Sequence, residues 1–143
     1  MKVIALDLEG TLISNAMSQI ARPGLHDFLE ESKRLCSRIV IFTTVKEDLF
    51  YEIAETLVNE GYVPAWFKEI EYVRWTGEKK DLKFIKNVDP AQVILIDDYI
   101  GYVCEEQKAQ WIEISQFGHP YSDGDNELKS VLTKLKEYAL AQA

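Results

Sequence analysis

Val3-Ile4-Ala5-Leu6-Asp7-Leu8-Glu9-Gly10-Thr11 is an apolar run that stops at a carboxylate, with a second carboxylate two positions later and then a Gly-Thr pair. The run is short and suited to β structure, so residues 2–7 read as a buried strand. Open α/β sheets bind ligands just beyond the carboxyl ends of their strands. Asp7 is therefore expected at a strand tip, on the edge of the binding crevice, with Glu9 one loop step further on. A free carboxylate beside a second acid is the pairing that a covalent aspartyl intermediate with acid–base assistance requires.

The same punctuation recurs further along. Ile39-Val40-Ile41-Phe42-Thr43-Thr44 ends an apolar run in hydroxyls, and Val93-Ile94-Leu95-Ile96-Asp97-Asp98 ends one in two acids. These runs predict strands over 38–43 and 92–97, with a weaker one at 110–114. Helical periodicity lies between them. Pro23 suits a first helical position, and Leu25, Phe28, Leu29 and Leu35 share a face. From Lys46 to Glu60 the stripe is Leu49, Ile53 and Leu57, and Gly61 is a natural stop. Leu82, Phe84 and Ile85 mark a helical pattern over 80–86. Leu128, Val131, Leu132, Leu135 and Tyr138 mark another from Asn126 onward. The segment 115–125 reads as a loop. Strands alternating with helices imply parallel β-α-β units with right-handed crossovers. The expected fold class is α/β, a Rossmann-like three-layer sandwich around a parallel sheet.

A chain of 143 residues is expected to form one domain over 1–143 and to bury roughly 70% of its unfolded surface. Its net charge of −8 disfavours broad capture of nucleic acid, which needs a basic face. Cys36 and Cys104 have neither disulfide-framework nor metal-ligand spacing, so they are expected as buried thiols in a reducing compartment. No signal peptide and no stretch of membrane-spanning length is present, and the expected location is the cytoplasm. No Ser-His-Asp or Cys-His pattern stands out. His26 falls on a helix surface and His119 in a loop. Trp66, Trp75 and Trp111 read as core or rim anchors. Arg22 and Arg74 are ordinary surface arginines unless they meet a second substrate charge.

Acid-x-acid, Thr, Lys and Asp-Asp, in that order at strand ends, resemble the four motifs of the haloacid dehalogenase phosphatase superfamily. The resemblance extends to Arg22-Pro23-Gly24-Leu25, Asp27-Phe28-Leu29, Phe42-Thr43-Thr44, Lys80-Asp81-Leu82, Ile96-Asp97-Asp98, Tyr102-Val103 and Phe117. Together these are similar to the capless branch that includes the RNA polymerase II C-terminal-domain phosphatases and other NLI-interacting-factor-like phosphatases. That family carries Asp where this chain has Glu9. Asp7-Leu8-Glu9-Gly10-Thr11 instead resembles the first motif of the enolase-phosphatases. Neither the segment between Thr11 and Thr43 nor the segment after it has room for a large cap. Residues 12–21 allow only a small hairpin flap, and 62–78 is irregular and aromatic.

The resemblance implies a Mg²⁺-dependent phosphomonoesterase. In that reading Asp7 is the nucleophile, and Glu9 is the acid–base group whose main-chain carbonyl also reaches the metal. Gly10 turns the backbone past the phosphate and Thr11 closes that loop. Thr43 donates to a phosphoryl oxygen, with Thr44 as its competitor. Lys80 neutralises developing charge, with Lys79 and Lys83 as alternatives. Asp97 and Asp98 hold the ion with Asp7, a hard-oxygen donor set suited to Mg²⁺. The implied substrate is a phosphorylated protein or small molecule, without a membrane partner. Two alternatives stand beside it: a small-molecule or nucleic-acid-end phosphatase, and a non-catalytic binding or regulatory module on the same fold.

Overall fold

The computed structural model describes residues 1–142. Five parallel strands, β1 (Val3–Leu6), β2 (Ile39–Ile41), β3 (Glu71–Tyr72), β4 (Val93–Asp97) and β5 (Trp111–Glu113), form one sheet in the order β3-β2-β1-β4-β5. The chain adds strands outward on one side of β1, then returns to add β4 and β5 on the other. The switch point therefore lies between β1 and β4, where a crevice opens beyond the strand ends. Leu6 pairs with Ile41 on one side and Ile96 on the other, so the residues after these three strands converge.

The sequence placed the four longer strands correctly, each trimmed by a residue or two at its ends. It did not anticipate β3, which lies in the aromatic 62–78 segment. That strand has only two residues and no apolar run. It is fixed from outside its own sequence, by pairing with Val40 and Ile41 and by the Tyr72 hydroxyl donating to the Val45 carbonyl.

Strand side chains alternate between two cores. Ile4, Leu6, Ile41, Ile94 and Ile96 face α1 (Leu25–Leu35), α2 (Glu47–Asn59) and α3 (Glu127–Ala141). Val3, Ala5, Val40 and Leu95 face Val73, Leu82, Ile85 and Val103, which come from irregular chain and short 3-10 turns. The three-layer expectation holds, but the second outer layer is thin. The helix expected over 80–86 is only one 3-10 turn at Leu82–Phe84. The Lys80 main chain is tied to the Tyr102 carbonyl, the Asp81 carboxylate caps Lys83 N–H, and Asn87 sits at φ 60°. No length remains for α-helical propagation.

Two helix details also differ. Pro23 lies outside α1, because Gly24 adopts φ 81° and the helix begins at Leu25. The buried stripe of α2 is Phe50, Ile53, Ala54 and Leu57, whereas Leu49 is 40% exposed. Gly61 does end α2: at φ 79° it lets its own N–H and that of Tyr62 return to the Val58 and Leu57 carbonyls. Residues 12–21 form the expected flap, closed by an antiparallel bridge between Ile13 and Ala21. Among the described residues no larger cap is present, and no helix is long and apolar enough to cross a membrane.

Candidate active site

Asp7 follows β1 directly, and its N–H donates to the Ile96 carbonyl. Both carboxylate oxygens are held. The Thr11 hydroxyl donates to Oδ2 at 2.8 Å and Lys80 Nζ to Oδ1 at 2.9 Å. Lys80 is fully buried, sits 4.7 Å over the Tyr102 ring, and also donates to Asp97 Oδ2 at 2.5 Å. Asp97 Oδ1 accepts the Tyr99 N–H at 3.0 Å. Of the three neighbouring lysines, Lys80 is the one that joins the carboxylates. Lys79 is exposed and donates to the Gly101 carbonyl, and Lys83 lies outside the cluster.

Asp98 completes the group. Oxygens of Asp7, Asp97 and Asp98 lie within 4.8 Å of one another. Three acids are thus clustered, and one buried ammonium pairs with two of them, Asp7 and Asp97. Burial alone would lower the Lys80 pKa, but its two carboxylate partners outweigh this and raise it, so it stays charged. Burial pushes the Asp98 carboxyl up to about 8, reinforced by its contact with Asp7 and the charge of Asp97. Three crowded carboxyl groups at a strand-end crevice, one of them pushed toward its neutral form for want of positive charge, fit a divalent cation such as Mg²⁺. Asp97 has both oxygens engaged by Lys80 and the Tyr99 N–H, whereas Asp98 meets the other two carboxyl groups.

Gly10 sits at φ 76°, a conformation that L side chains rarely adopt. A Cβ there would lie 2.4 Å from Asp98 Oδ2 and 3.2 Å from Gln116 Cγ. Glu9 is half-buried, and its Oε2 accepts the Ala16 N–H at 2.7 Å, which fastens the flap to the second acid. Thr43 is buried, and its Oγ1 accepts the Val45 N–H at 3.1 Å, leaving its proton free to donate. Thr44 is exposed and lines the crevice. The crevice has a volume of about 270 Å³, and Asp7, Glu9, Thr44 and Asp98 share its lining with Tyr99, Tyr102 and Gln116.

Arg22 corrects the sequence reading: it is a buried clamp, only 1% exposed. Nε and Nη2 grip the two oxygens of Asp125 at 2.9 and 3.0 Å, Nη1 donates to the Gly10 and Thr11 carbonyls, and Nη2 to the Ser115 carbonyl. The loop after β1 is thus bolted to the loop after β5. Neither Asp125 nor Gln116 was singled out from sequence, since both sit in a polar loop without periodicity. Arg74 is a surface arginine paired with Glu47, and His26 faces Glu30 on the α1 surface. Trp111 anchors the end of β4 by donating to the Asp97 carbonyl at 3.1 Å.

The family model of NLI interacting factor-like phosphatases matches residues 2–143. The chain belongs to that family. That membership agrees with the resemblance carried by the motifs around Asp7, Thr43, Lys80 and Asp97-Asp98. No curated protein matches it. Among solved structures it is similar to a variant of the fission yeast RNA polymerase II CTD phosphatase Fcp1 bound to beryllium fluoride. The TM-score is 0.60 at 15% identity, over 99% of this chain and 51% of the other. At that identity the likeness shows a shared fold, and the chain spans about half the length of the yeast protein.

Proposed function

We propose that this NLI interacting factor-like phosphatase hydrolyses phosphate monoesters through a phospho-Asp7 intermediate, and that its substrates are phosphorylated protein segments. The observation that carries the catalytic part is the orientation of Asp7, both of whose oxygens are fixed by Lys80 and Thr11 at the crevice.

Asp7 attacks phosphorus, forming an Asp7 O–P bond as the ester P–O bond breaks. Glu9 gives its proton to the departing alcohol oxygen. Water then attacks the acyl phosphate, Glu9 takes the water proton, and the Asp7 O–P bond breaks to release phosphate. Lys80 places its charge beside the transferring group, while Asp97 holds that ammonium in position. The Thr43 hydroxyl and the Gly10 turn are suited to a phosphoryl oxygen, and Thr44 to the crevice rim. Asp7, Asp97 and Asp98, with the Glu9 carbonyl, would hold Mg²⁺, which would supply the positive charge that lets an anionic carboxylate approach an anionic phosphate.

The phosphoprotein reading is supported by family membership, by the crevice without a cap, and by the exposed Tyr99 in its lining. The net charge of −8 weighs against nucleic acid. Free, buried Cys36 and Cys104 suit a reducing compartment, and residues 1–143 are read as one domain.

The test is hydrolysis of an aryl phosphate with Mg²⁺, with chelator, and by Asp7→Asn. Turnover that needs the metal and disappears in the variant is expected. Undiminished turnover by Asp7→Asn would sink the covalent mechanism.

A further inference from the structure

We propose that Gln116 is a recognition residue that pairs with a peptide group of the substrate chain, close to the phosphorylated side chain. The inference rests on the phosphoprotein reading above. Gln116 shares the crevice lining with Asp7, Glu9 and Asp98, and its Cγ packs into the space that Gly10 leaves by lacking a side chain. Its carboxamide is exposed and has no hydrogen-bond partner among the described residues.

The backbone around it is held on both sides. Ser115 N–H donates to Glu127 at 3.0 Å, and the Ser115 carbonyl accepts from Arg22 at 2.6 Å. Phe117 N–H donates to the Gly10 carbonyl at 2.8 Å, and the Phe117 ring lies 5.3 Å from the Arg22 guanidinium carbon. The clamped main chain fixes the point from which the side chain reaches, so ordering by a ligand costs the freedom of the side chain's own torsions and not that of the loop.

The chemistry of the group points away from the phosphate. Lys80 supplies the positive charge and is paired with Asp7 and Asp97, and Asp98 joins those two acids. A neutral carboxamide adds no charge. It offers a carbonyl acceptor and an N–H donor in one plane, the same pair that a peptide unit presents. An extended chain entering the open crevice brings such units within reach, with Tyr99 beside them for apolar contact.

The experiment measures kcat/KM for a serine-phosphorylated peptide and for p-nitrophenyl phosphate, in the full chain and in Gln116→Leu and Gln116→Asn. The peptide-to-aryl ratio is expected to fall about tenfold in Gln116→Leu, through KM. Gln116→Asn, which keeps the carboxamide, should recover part of the loss. A ratio within twofold of wild type in Gln116→Leu would overturn the proposal, as would wild-type protein that turns over the aryl ester but not the peptide. Absence of wild-type aryl phosphate turnover would instead sink the catalytic reading beneath it.

Discussion

Gly10 carries two constraints at once, a left-handed φ and a wall formed by Asp98 Oδ2 at 2.4 Å from any added Cβ. Gly10→Ala is expected to strain the backbone by about 1–2 kcal/mol and to displace Asp98. Turnover should then fall at least about tenfold while the circular dichroism spectrum is retained. Lys80 is the more structural residue. Lys80→Met leaves Asp7 and Asp97 without their buried cation, which is expected to destabilise the fold by about 3–5 kcal/mol, read by urea unfolding. At this scale Asp7, Thr11, Lys80 and Asp98 were legible in the sequence, because each stands at a break in an apolar run or a lysine pair. Gln116 and Asp125 were not. Their roles come from Arg22 and Gly10, more than ninety positions away for each Arg22 contact in that loop.

Among the elements, α2 shows how a periodic pattern fixes a helix without fixing its phase. Leu49, Ile53 and Leu57 repeat at four-residue spacing, but Phe50 and Ala54 complete the buried face and Leu49 turns outward. Phe50→Ala is expected to cost about 3–5 kcal/mol, and Leu49→Ala well under about 1 kcal/mol, by thermal or urea unfolding of the pair. The 80–86 segment shows the opposite limit. Its apolar spacing is helical, yet a main-chain bond to Tyr102 and the Asp81 cap leave room for one turn. Strand β3 lacked a pattern altogether, since its pairing with β2 supplies what its two residues cannot. Long apolar runs were read correctly because burial on both faces leaves them no other structure.

For the molecule as a whole, charge decides two outcomes. If the three-carboxylate cluster holds Mg²⁺ as proposed, the stability of the fold reports its binding. At free Mg²⁺ about a hundredfold above its dissociation constant, stability should rise by about 2.7 kcal/mol, and chelator should remove the gain. Asp98→Asn should shrink it. The net charge of −8 should also favour phosphopeptides with basic flanks. Their kcat/KM is expected to fall with added salt while that of acidic peptides does not.

The uneven coating of the sheet has a consequence for motion. All three α-helices lie over one face, and the other is covered by 3-10 turns and irregular chain, which also carry Lys80 and the residues after Asp98. Amide protons in the helical layer should exchange with deuterium slowly, and those of residues 73–92 and 98–110 quickly. Lys80, the cation of the cluster, is therefore hung on the side expected to open first. Beryllofluoride with Mg²⁺ should slow deuterium uptake selectively there, leaving α1 and α3 as they were.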